Sequence, residues 1–327
     1  MRISTIRRFH AAAVAACLAI ALPLQAQAQD YPSRPVRLIV PYPVGGASDI
    51  TARLVADKLS KKWGQGVIVE NKAGANGIIG TAEIAKAAPD GYTIGLVASS
   101  HVGNPFSYKN VPFDTLNDLQ PVTQTATVQL GLVVNPKLGV NNVQELVALL
   151  KQQPGKIDYA TTGPGGNPHL FAEVFMQLTG TQMTQIPYKG SSSAHPDLLS
   201  GQVSVMFDAV AAVAPHVKAG KLKLLGVSGA TRASLLPDVP TLQEAGVKGY
   251  AMASWGGIIA PAKVPRPVIQ KLNADIVAAL NEPDVRERLT QLGADVVAST
   301  PEQFDALLRS DTVRYQKLIK DAGIVPQ

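Results

Sequence analysis

The chain has 327 residues and a formal net charge of +6, from 30 Lys and Arg against 24 Asp and Glu. Residues 1–28 hold three of the basic residues and no acidic one, so the other 299 residues carry only +3, which does not predict binding to nucleic acid or to a membrane surface. The chain is long enough to bury a core without disulfides, and its one cysteine, Cys17, lies in the amino-terminal segment.

Residues 1–28 are predicted to be a signal peptide that is removed on export. A basic region ending at Arg8 precedes an apolar stretch, residues 11–24, that is too short to span a bilayer comfortably, and a small-x-small motif places cleavage after Ala28. A lipoprotein signal ending at Cys17 is the alternative, but the apolar stretch continues past that cysteine.

Short apolar runs alternate with helical patterns along the rest of the chain. Strands are predicted at residues 36–40, 67–70, 93–97, 132–134, 157–160, 182–186, 203–207, 222–228 and 256–259. Helices are predicted at residues 49–63, 77–87, 143–152, 170–179, 194–199, 211–219 and 241–245, and then at 267–280, 283–292 and 301–322. This alternation predicts an α/β fold with mainly parallel sheets.

Two lobes are the expected arrangement for a chain of this size. Extended segments around residues 129–134 and 250–254 bracket a self-contained block of strands and helices. Lobe 1 is therefore predicted to be discontinuous, with residues 29–128 and 255–327, and lobe 2 comprises residues 129–254.

The stretch from Pro41 to Asp49 has the properties of an anion-binding loop. It follows a predicted strand and leads into a helix, and Gly45 and Gly46 permit backbone angles that side chains disfavour. Ser48 or Asp49 can cap the helix, whose first N–H groups lack partners and carry partial positive charge. Such a loop can hold an anion through backbone donors alone.

Similar loops follow three other predicted strands, at residues 71–80, 98–101 and 161–169. In open α/β sheets ligands bind beyond the carboxyl ends of strands, so these loops are predicted to converge on one cleft suited to a carboxylate or amide. Glycine loops also serve simply to turn the chain, and none of these matches a dinucleotide fingerprint or a P-loop. Asp49 and Arg53 are four residues apart on a predicted helix, so they are expected to form a surface pair. His169 follows a proline at a helix start and is expected to be a structural residue.

No catalytic residue, metal site or cofactor is predicted. Ser191, His195 and Asp197 are the right residue types for a hydrolase, but the Gly-x-Ser-x-Gly turn that would present the serine is missing. The chain after the signal peptide has four histidines with no His-x-x-x-His spacing and no cysteine, which argues against zinc.

Several motifs, in order along nearly the whole chain after the signal peptide, closely resemble the Bug family of periplasmic solute receptors. They lie at residues 31–36, 41–49 with Arg53, 70–77, 89–93, 163–169, 187–190, 201–208 and 254–256 with Pro261. The chain departs from many relatives at Val44, where a second proline is usual, and Tyr42 stands where a phenylalanine is common.

This resemblance implies a type II periplasmic binding protein whose two lobes, joined by two crossing strands, close on a small organic acid. It implies delivery of that acid to the membrane permease subunits of a tripartite tricarboxylate transporter, without nucleic acid, and we expect a monomer. The ligand-binding positions that the resemblance carries over are Tyr42, Gly46, Ser48, Ala75, Asn76, Gly77, Ser99, Thr161, Thr162, Gly165, His169, Tyr188 and Asp208. Asp49 is assigned to the helix start.

The sequence leaves some alternatives open. A receptor that serves a signalling protein fits the same pattern, and an exported hydrolase using a serine or His169 is a weaker alternative. The sequence does not decide whether the Tyr42 hydroxyl or Lys189 contacts the ligand. No arginine lies in the predicted loops, which argues against a side-chain clamp on a second carboxylate.

Overall fold

Two β-sheets, one of six strands and one of five, organise the fold. The computed structural model describes residues 31–163, 165–188, 190–321 and 323–326, and all the elements given below belong to the unit Arg34–Gln327. The predicted signal peptide with its cleavage site, and Lys189, lie outside the described residues.

The six-stranded sheet combines the beginning and the end of the chain. Its strands are β1 (Val36–Val40), β2 (Val67–Asn71), β3 (Thr93–Ala98), β4 (Leu119–Val128), β10 (Ser254–Pro261) and β11 (Ala294–Val296), in the spatial order β11-β4-β10-β3-β1-β2. β1 pairs in parallel with β2 and β3, whereas β10 runs antiparallel to β3 and β4. This sheet and its helices are called the first lobe.

The five-stranded sheet, the core of the second lobe, is built from the middle of the chain. Its strands are β5 (Leu130–Val134), β6 (Asp158–Thr161), β7 (Thr184–Pro187), β8 (Val205–Ala209) and β9 (Lys223–Val227), in the spatial order β7-β6-β8-β5-β9. β6 is parallel to β7 and β8, and β5 is antiparallel to β8 and β9. The chain enters this sheet directly from β4 and leaves it after β9.

Ten helices pack on the two sheets in the described part of the chain. The helices of the first lobe are α1 (Ala47–Trp63), α2 (Ile78–Ala85), α3 (Ser100–Ser107), α8 (Arg266–Leu280), α9 (Pro283–Gln291) and α10 (Pro301–Asp321). Those of the second lobe are α4 (Val143–Gln152), α5 (Asn167–Thr179), α6 (Ser191–Ser200) and α7 (Val210–Lys218). None of these helices has the length and apolar character needed to cross a membrane.

Each lobe has its own buried core, as the burial of its strands requires. In the second lobe Phe171, Phe175 and Phe207 pack together with Tyr250 and are fully buried. In the first lobe Phe304 of α10 lies beneath β10 and meets the Trp255 ring edge-on, with ring centroids 5.3 Å apart. These cores hold the loops at the strand ends in fixed positions.

The predicted two-lobed α/β fold is confirmed, with two differences in detail. The sheets are mixed, because the strands next to the crossings, β4, β5 and β10, run antiparallel to their neighbours. The predicted helix at residues 241–245 is wrong: Ala245 N–H bonds to Thr241, but the chain then turns at Gly246, whose φ is +98°.

Strand β4 was not predicted because its sequence is largely polar. Thr123, Gln124 and Thr125 are nevertheless buried. Two of them bond to Ser299: the Thr123 hydroxyl donates to the Ser299 carbonyl, and the backbone N–H of Gln124 donates to Ser299 Oγ. A search for apolar runs overlooks a strand of this kind. The short strand β11 and helix α3 were not predicted either.

Candidate functional site

A cavity of about 230 Å³ lies between the two lobes. The described residues that line it are Ala47, Ser48, Thr51, Leu96, Ala98, Thr125, Ala126, Val128, Leu130, Thr162, Asn167, Pro168, Ser191, Asp208, Ala209, Ser254, Trp255, Gly256, Leu292 and Ala294. Among these lining residues Asp208 is the one with an ionisable side chain, and none is Arg or Lys. The walls are mostly apolar, with polar groups at a few points, as is usual for small-molecule sites.

Helix beginnings surround this cavity. Ala47 and Ser48 open α1, Asn167 opens α5, Ser191 opens α6, and Ala209 is the residue just before α7. The first N–H groups of a helix have no partner within the helix and carry partial positive charge. Four such ends at one cavity create an environment that favours an anion.

Asp49 fixes the loop that precedes α1. Its carboxylate is almost fully buried and accepts hydrogen bonds from Gly45 N–H at 2.9 Å, from the Arg53 guanidinium and from Asn71 Nδ2 at 3.0 Å. Burial opposes ionisation, but these three donors hold the pKa of the Asp49 carboxyl below its ordinary value. Asp49 therefore lies at the helix start, as predicted. It also pairs with Arg53 as predicted, but its carboxylate is buried and not at the surface.

Replacing Asp49 by alanine is expected to lower the free energy of unfolding by about 1–3 kcal/mol, because the Gly45 and Asn71 donors lose a charged acceptor. Urea unfolding measures this change. The matched control is Asp57→Ala on the same helix, where the exposed pair with Lys61 contributes about 0.3–0.5 kcal/mol. Equal losses in the two variants would contradict the role given to Asp49.

Tyr42 and the second glycine loop support the first loop. The Tyr42 hydroxyl accepts a hydrogen bond from Ala98 N–H at 2.9 Å and lies 3.2 Å from Ser100 Oγ, and burial raises its pKa. Gly77 has a φ of +93°, and a Cβ there would lie 3.3 Å from the Tyr42 ring. Because Gly77 has no side chain, the second loop packs closely on the first.

Asn76 and Ala75 lie on the exposed side of this loop. The Asn76 amide donates to Asn104 Oδ1 at 2.8 Å, and Asn104 donates back to the Asn76 carbonyl. Gly46 is exposed beside Ala47 and precedes the first turn of α1. Of these predicted positions, Gly46 is the one adjacent in sequence to cavity-lining residues.

Asn167 joins the two lobes at the edge of the cavity. Its Nδ2 donates to Ser254 Oγ at 2.9 Å and to Ser99 Oγ at 3.3 Å, and the two serine hydroxyls lie 3.0 Å apart. Ser99 is fully buried and Ser254 nearly so. Asn167 and Ser254 line the cavity. The predicted residue Ser99 lies behind them and is hydrogen-bonded to both.

The predicted loop at residues 161–169 contributes both to the wall and to its support. Thr162 lines the cavity, whereas the Thr161 hydroxyl accepts from Gln185 Nε2 at 2.9 Å. Gly165 N–H donates to His169 Nδ1 at 3.1 Å, and His169 Nε2 lies 3.3 Å from Glu173. Both ring nitrogens of His169 are therefore engaged within the second lobe, in agreement with a structural role.

Asp208 lies at the cavity with three hydrogen-bond donors around its carboxylate. Oδ1 accepts from the Ser191 hydroxyl and from Ala209 N–H, both at 2.8 Å, and Oδ2 accepts from His195 Nε2 at 2.6 Å. That hydrogen bond raises the pKa of the His195 imidazole above its ordinary value, although burial opposes the rise. Asp208 stands between the serine and the histidine, so His195 cannot take a proton from Ser191 as a hydrolase base would.

Tyr188 bonds away from this group. Its hydroxyl donates to Asp197 at 2.8 Å. Burial, and to a smaller extent this hydrogen bond, raises the pKa of Tyr188 to about 12. Tyr188 is not among the described residues that line the cavity.

The structure therefore brings Ser48, Thr162 and Asp208 to the cavity wall, and the other predicted positions build or flank the loops behind it. The polar lining residues that were not among the predicted ligand-binding positions are Thr51, Thr125, Asn167, Ser191 and Ser254. Asn167 and Ser254 lie inside motifs already noticed, so their positions in those motifs were an available signal. Thr125 belongs to the polar strand that pattern reasoning missed.

Among the described residues, no three His, Cys, Asp or Glu side chains are grouped to hold a metal ion.

Comparison with known proteins identifies the family. A sequence model described as "Tripartite tricarboxylate transporter family receptor" (TctC) matches residues 51–324. The chain belongs to this family. The present chain is 39% identical over 290 residues to a UPF0065 protein of Pseudomonas sp., and the match covers 88% of this chain and 86% of that one. It is 37% identical over 307 residues to Protein BugT of Bordetella pertussis, covering 93% of each chain, so the resemblance to Bug receptors is confirmed.

Solved structures agree with this assignment. The TctC receptor is similar to the periplasmic binding protein BugD, at 35% identity and a TM-score of 0.78, covering 91% of this chain and 100% of that one. It is similar to an R. palustris protein solved with adipate, at 33% identity and a TM-score of 0.81, with the same coverage. MatC from Rhodopseudomonas palustris with bound malate gives 29% identity and a TM-score of 0.76, covering 88% and 100%. The chain is a solute-binding receptor and not an enzyme.

Proposed function

We propose that this receptor captures a small organic acid in the periplasm, in the cavity between its lobes, and presents it to the permease of a tripartite tricarboxylate-type transporter. The observation that carries the proposal is the convergence of four helix beginnings on one cavity whose described lining has no Arg or Lys. Helix ends and hydroxyls can hold a carboxylate without a side-chain cation. Adipate and malate in two similar structures support the same ligand class.

We propose that all the positions carried over from the resemblance serve ligand binding, in two roles. Ser48, Thr162 and Asp208 contact the acid, together with Asn167 and Ser191, because they form the polar part of the wall. The remaining positions act through the loops: for example, His169 orients Gly165, and Gly77 packs on Tyr42. The Tyr42 hydroxyl serves the loop, since the Ala98 amide and Ser100 occupy it.

Binding is proposed to couple to closure of the two lobes, with boundaries at residues 29–128 plus 255–327 and at 129–254. The lobes meet around the cavity, where Asn167 bonds Ser99 and where a Cβ at Gly165 would lie 2.9 Å from Ser107 Oγ. Closure over a ligand creates the receptor shape that a permease can recognise. We further propose a monomer exported by the signal peptide at residues 1–28.

A panel of acids tests the ligand class by thermal unfolding of the protein without residues 1–28. Adipate, malate, citrate, benzoate and glutamate are the probes, and we expect at least one to raise the unfolding temperature, with a stabilisation of about 2.7 kcal/mol at a concentration a hundred times its Kd. The uncharged diamide of adipate is the control and is expected to have no effect. If no acid stabilises the protein, the proposed function is wrong.

A further inference from the structure

A carboxylate in the wall of an anion-binding cavity requires an explanation. Asp208 is nearly fully buried and lines the cavity together with Ser191, which bonds it. An uncompensated negative charge there would repel the carboxylate of the ligand, and the repulsion would be strong because few water molecules separate buried groups. The ligand class proposed above therefore depends on what neutralises Asp208.

His195 is the group that can do so. Its Nε2 lies 2.6 Å from Asp208 Oδ2, and its side chain is 17% exposed, so the imidazole stands behind Asp208 and not in the cavity lining. Ser191 and Ala209 N–H donate to the other oxygen but bring no charge. With His195 protonated the pair is neutral, and with His195 neutral the wall carries one negative charge.

Several other titratable side chains lie on the elements around His195. The elements packed against α6 are β6, β8 and α7, and with α6 they carry Asp158, Tyr159, Asp197, Asp208, His216 and Lys218. Asp197 accepts from the Tyr188 hydroxyl, and the Tyr159 hydroxyl donates to Glu173. His216 meets the His195 ring edge-on, with ring centroids 5.6 Å apart.

We propose that His195 is a specificity-determining residue that sets the charge of the cavity wall through Asp208. The receptor then binds its anionic ligand together with one proton. This inference rests on the proposed function. The bound anion favours protonated His195 and so raises the pKa of that imidazole further. Affinity is then highest below the pKa of His195 in the free protein. It falls as the pH rises through the pKa values of the free and bound states and levels off above them.

The test is titration calorimetry of the protein lacking residues 1–28 with the acid of the panel that binds tightest, from about pH 5.5 to 9.5. The last carboxyl group of a di- or tricarboxylic acid titrates near the lower end of this range, so proton binding by the free acid is measured separately and subtracted. Buffers of different ionisation enthalpy report the number of protons taken up. For wild type we expect a loss of affinity of about tenfold over this range, which corresponds to one unit of pKa change in His195 on binding. Proton uptake is expected to be greatest in the same interval.

Three variants make the test specific. His195→Gln retains a neutral donor to Asp208 and is expected to bind at every pH with the weaker affinity that wild type has at high pH. Asp208→Asn removes the charge itself and is expected to abolish the pH dependence. His216→Gln is the control, a neighbouring imidazole that contacts His195, and it is expected to keep the wild-type profile.

The outcomes separate this inference from the proposed function. If no acid binds wild type at any pH, the proposed function fails and this inference falls with it. If an acid binds but wild type and His195→Gln have the same pH profile, only the role of His195 is wrong. Affinity that rises with pH would show instead that Asp208 accepts a hydrogen bond from a donor on the ligand, which also overturns the proposal.

A measurement without ligand provides a second check. Nuclear magnetic resonance of the histidine rings should show His195 titrating above the ordinary value of about 6.5, and returning towards it in Asp208→Asn. An unchanged His195 titration in that variant would overturn the coupling on which the inference depends.

Discussion

A Gly46→Trp variant is expected to remain folded and to lose acid binding by roughly a hundredfold or more, equivalent to about 2.8 kcal/mol. Gly46 has a φ of −76°, which other residues adopt readily, and the nearest atom to a Cβ there is the Pro43 carbonyl oxygen at an ordinary 3.6 Å. The fold therefore tolerates a side chain. The bulky ring, however, would stand at the start of α1 beside Ala47 and Ser48 and obstruct the approach of the ligand to the helix end.

Calorimetry with the acid that binds wild type measures this loss, and circular dichroism with urea unfolding checks that the variant is folded. Gly66→Trp is the matched control, because Gly66 is exposed, precedes β2 and has open space around its Cβ position. Normal binding by Gly46→Trp would mean that the first loop only turns the chain.

Phe304→Ala is expected to cost about 3–5 kcal/mol of unfolding free energy, the typical effect of removing a buried phenylalanine ring. Phe304 is fully buried, and its ring fills the space next to Gly257 of β10, where a Cβ would lie only 2.1 Å from Phe304 Cζ. The same ring meets Trp255 edge-on, and Trp255 lines the cavity. The variant is therefore expected to bind its acid more weakly as well.

Urea unfolding gives the stability change. Val313→Ala on the same helix α10 is the control: Val313 is 68% exposed, so its truncation should change the unfolding free energy by no more than about 0.5 kcal/mol. A loss below about 1 kcal/mol for Phe304→Ala would show that α10 is not part of the core that supports Trp255.

The strands and helices that the sequence predicted well are those with an apolar pattern of their own. Val36–Val40 and Val143–Gln152 have the predicted bounds. The first is a short apolar run that is buried almost throughout, and the second has its buried residues at helical spacing, so both patterns are visible in the residue order. Leu119–Val128 was missed because its middle is polar. The buried Thr123 hydroxyl and the Gln124 backbone find their hydrogen-bond partner in Ser299, a residue more than 170 positions away. Such a partner cannot be found from local pattern.

The candidate site shows the same division. The loop at residues 41–49 could be predicted to face a cleft because glycines between a strand and a helix expose unpaired N–H groups. The sequence predicted that Ser48 or Asp49 caps the helix. In the structure Gly46 holds the cap position without a side-chain cap, and Asp49 lies in the first turn and accepts from Gly45 N–H. The sequence also could not show that the Tyr42 hydroxyl is occupied by Ala98, 56 positions later.

The sequence by itself determined the fold class, the family and the class of loops that form the site, because these depend on periodicity, on glycine placement and on motifs read in order. Only the tertiary structure decided which side chains reach the cavity and which groups donate hydrogen bonds to Asp208. Ser191, His195 and Asp208 come from two elements that meet through sheet packing, and their hydrogen bonds depend on distances that no spacing in the chain specifies.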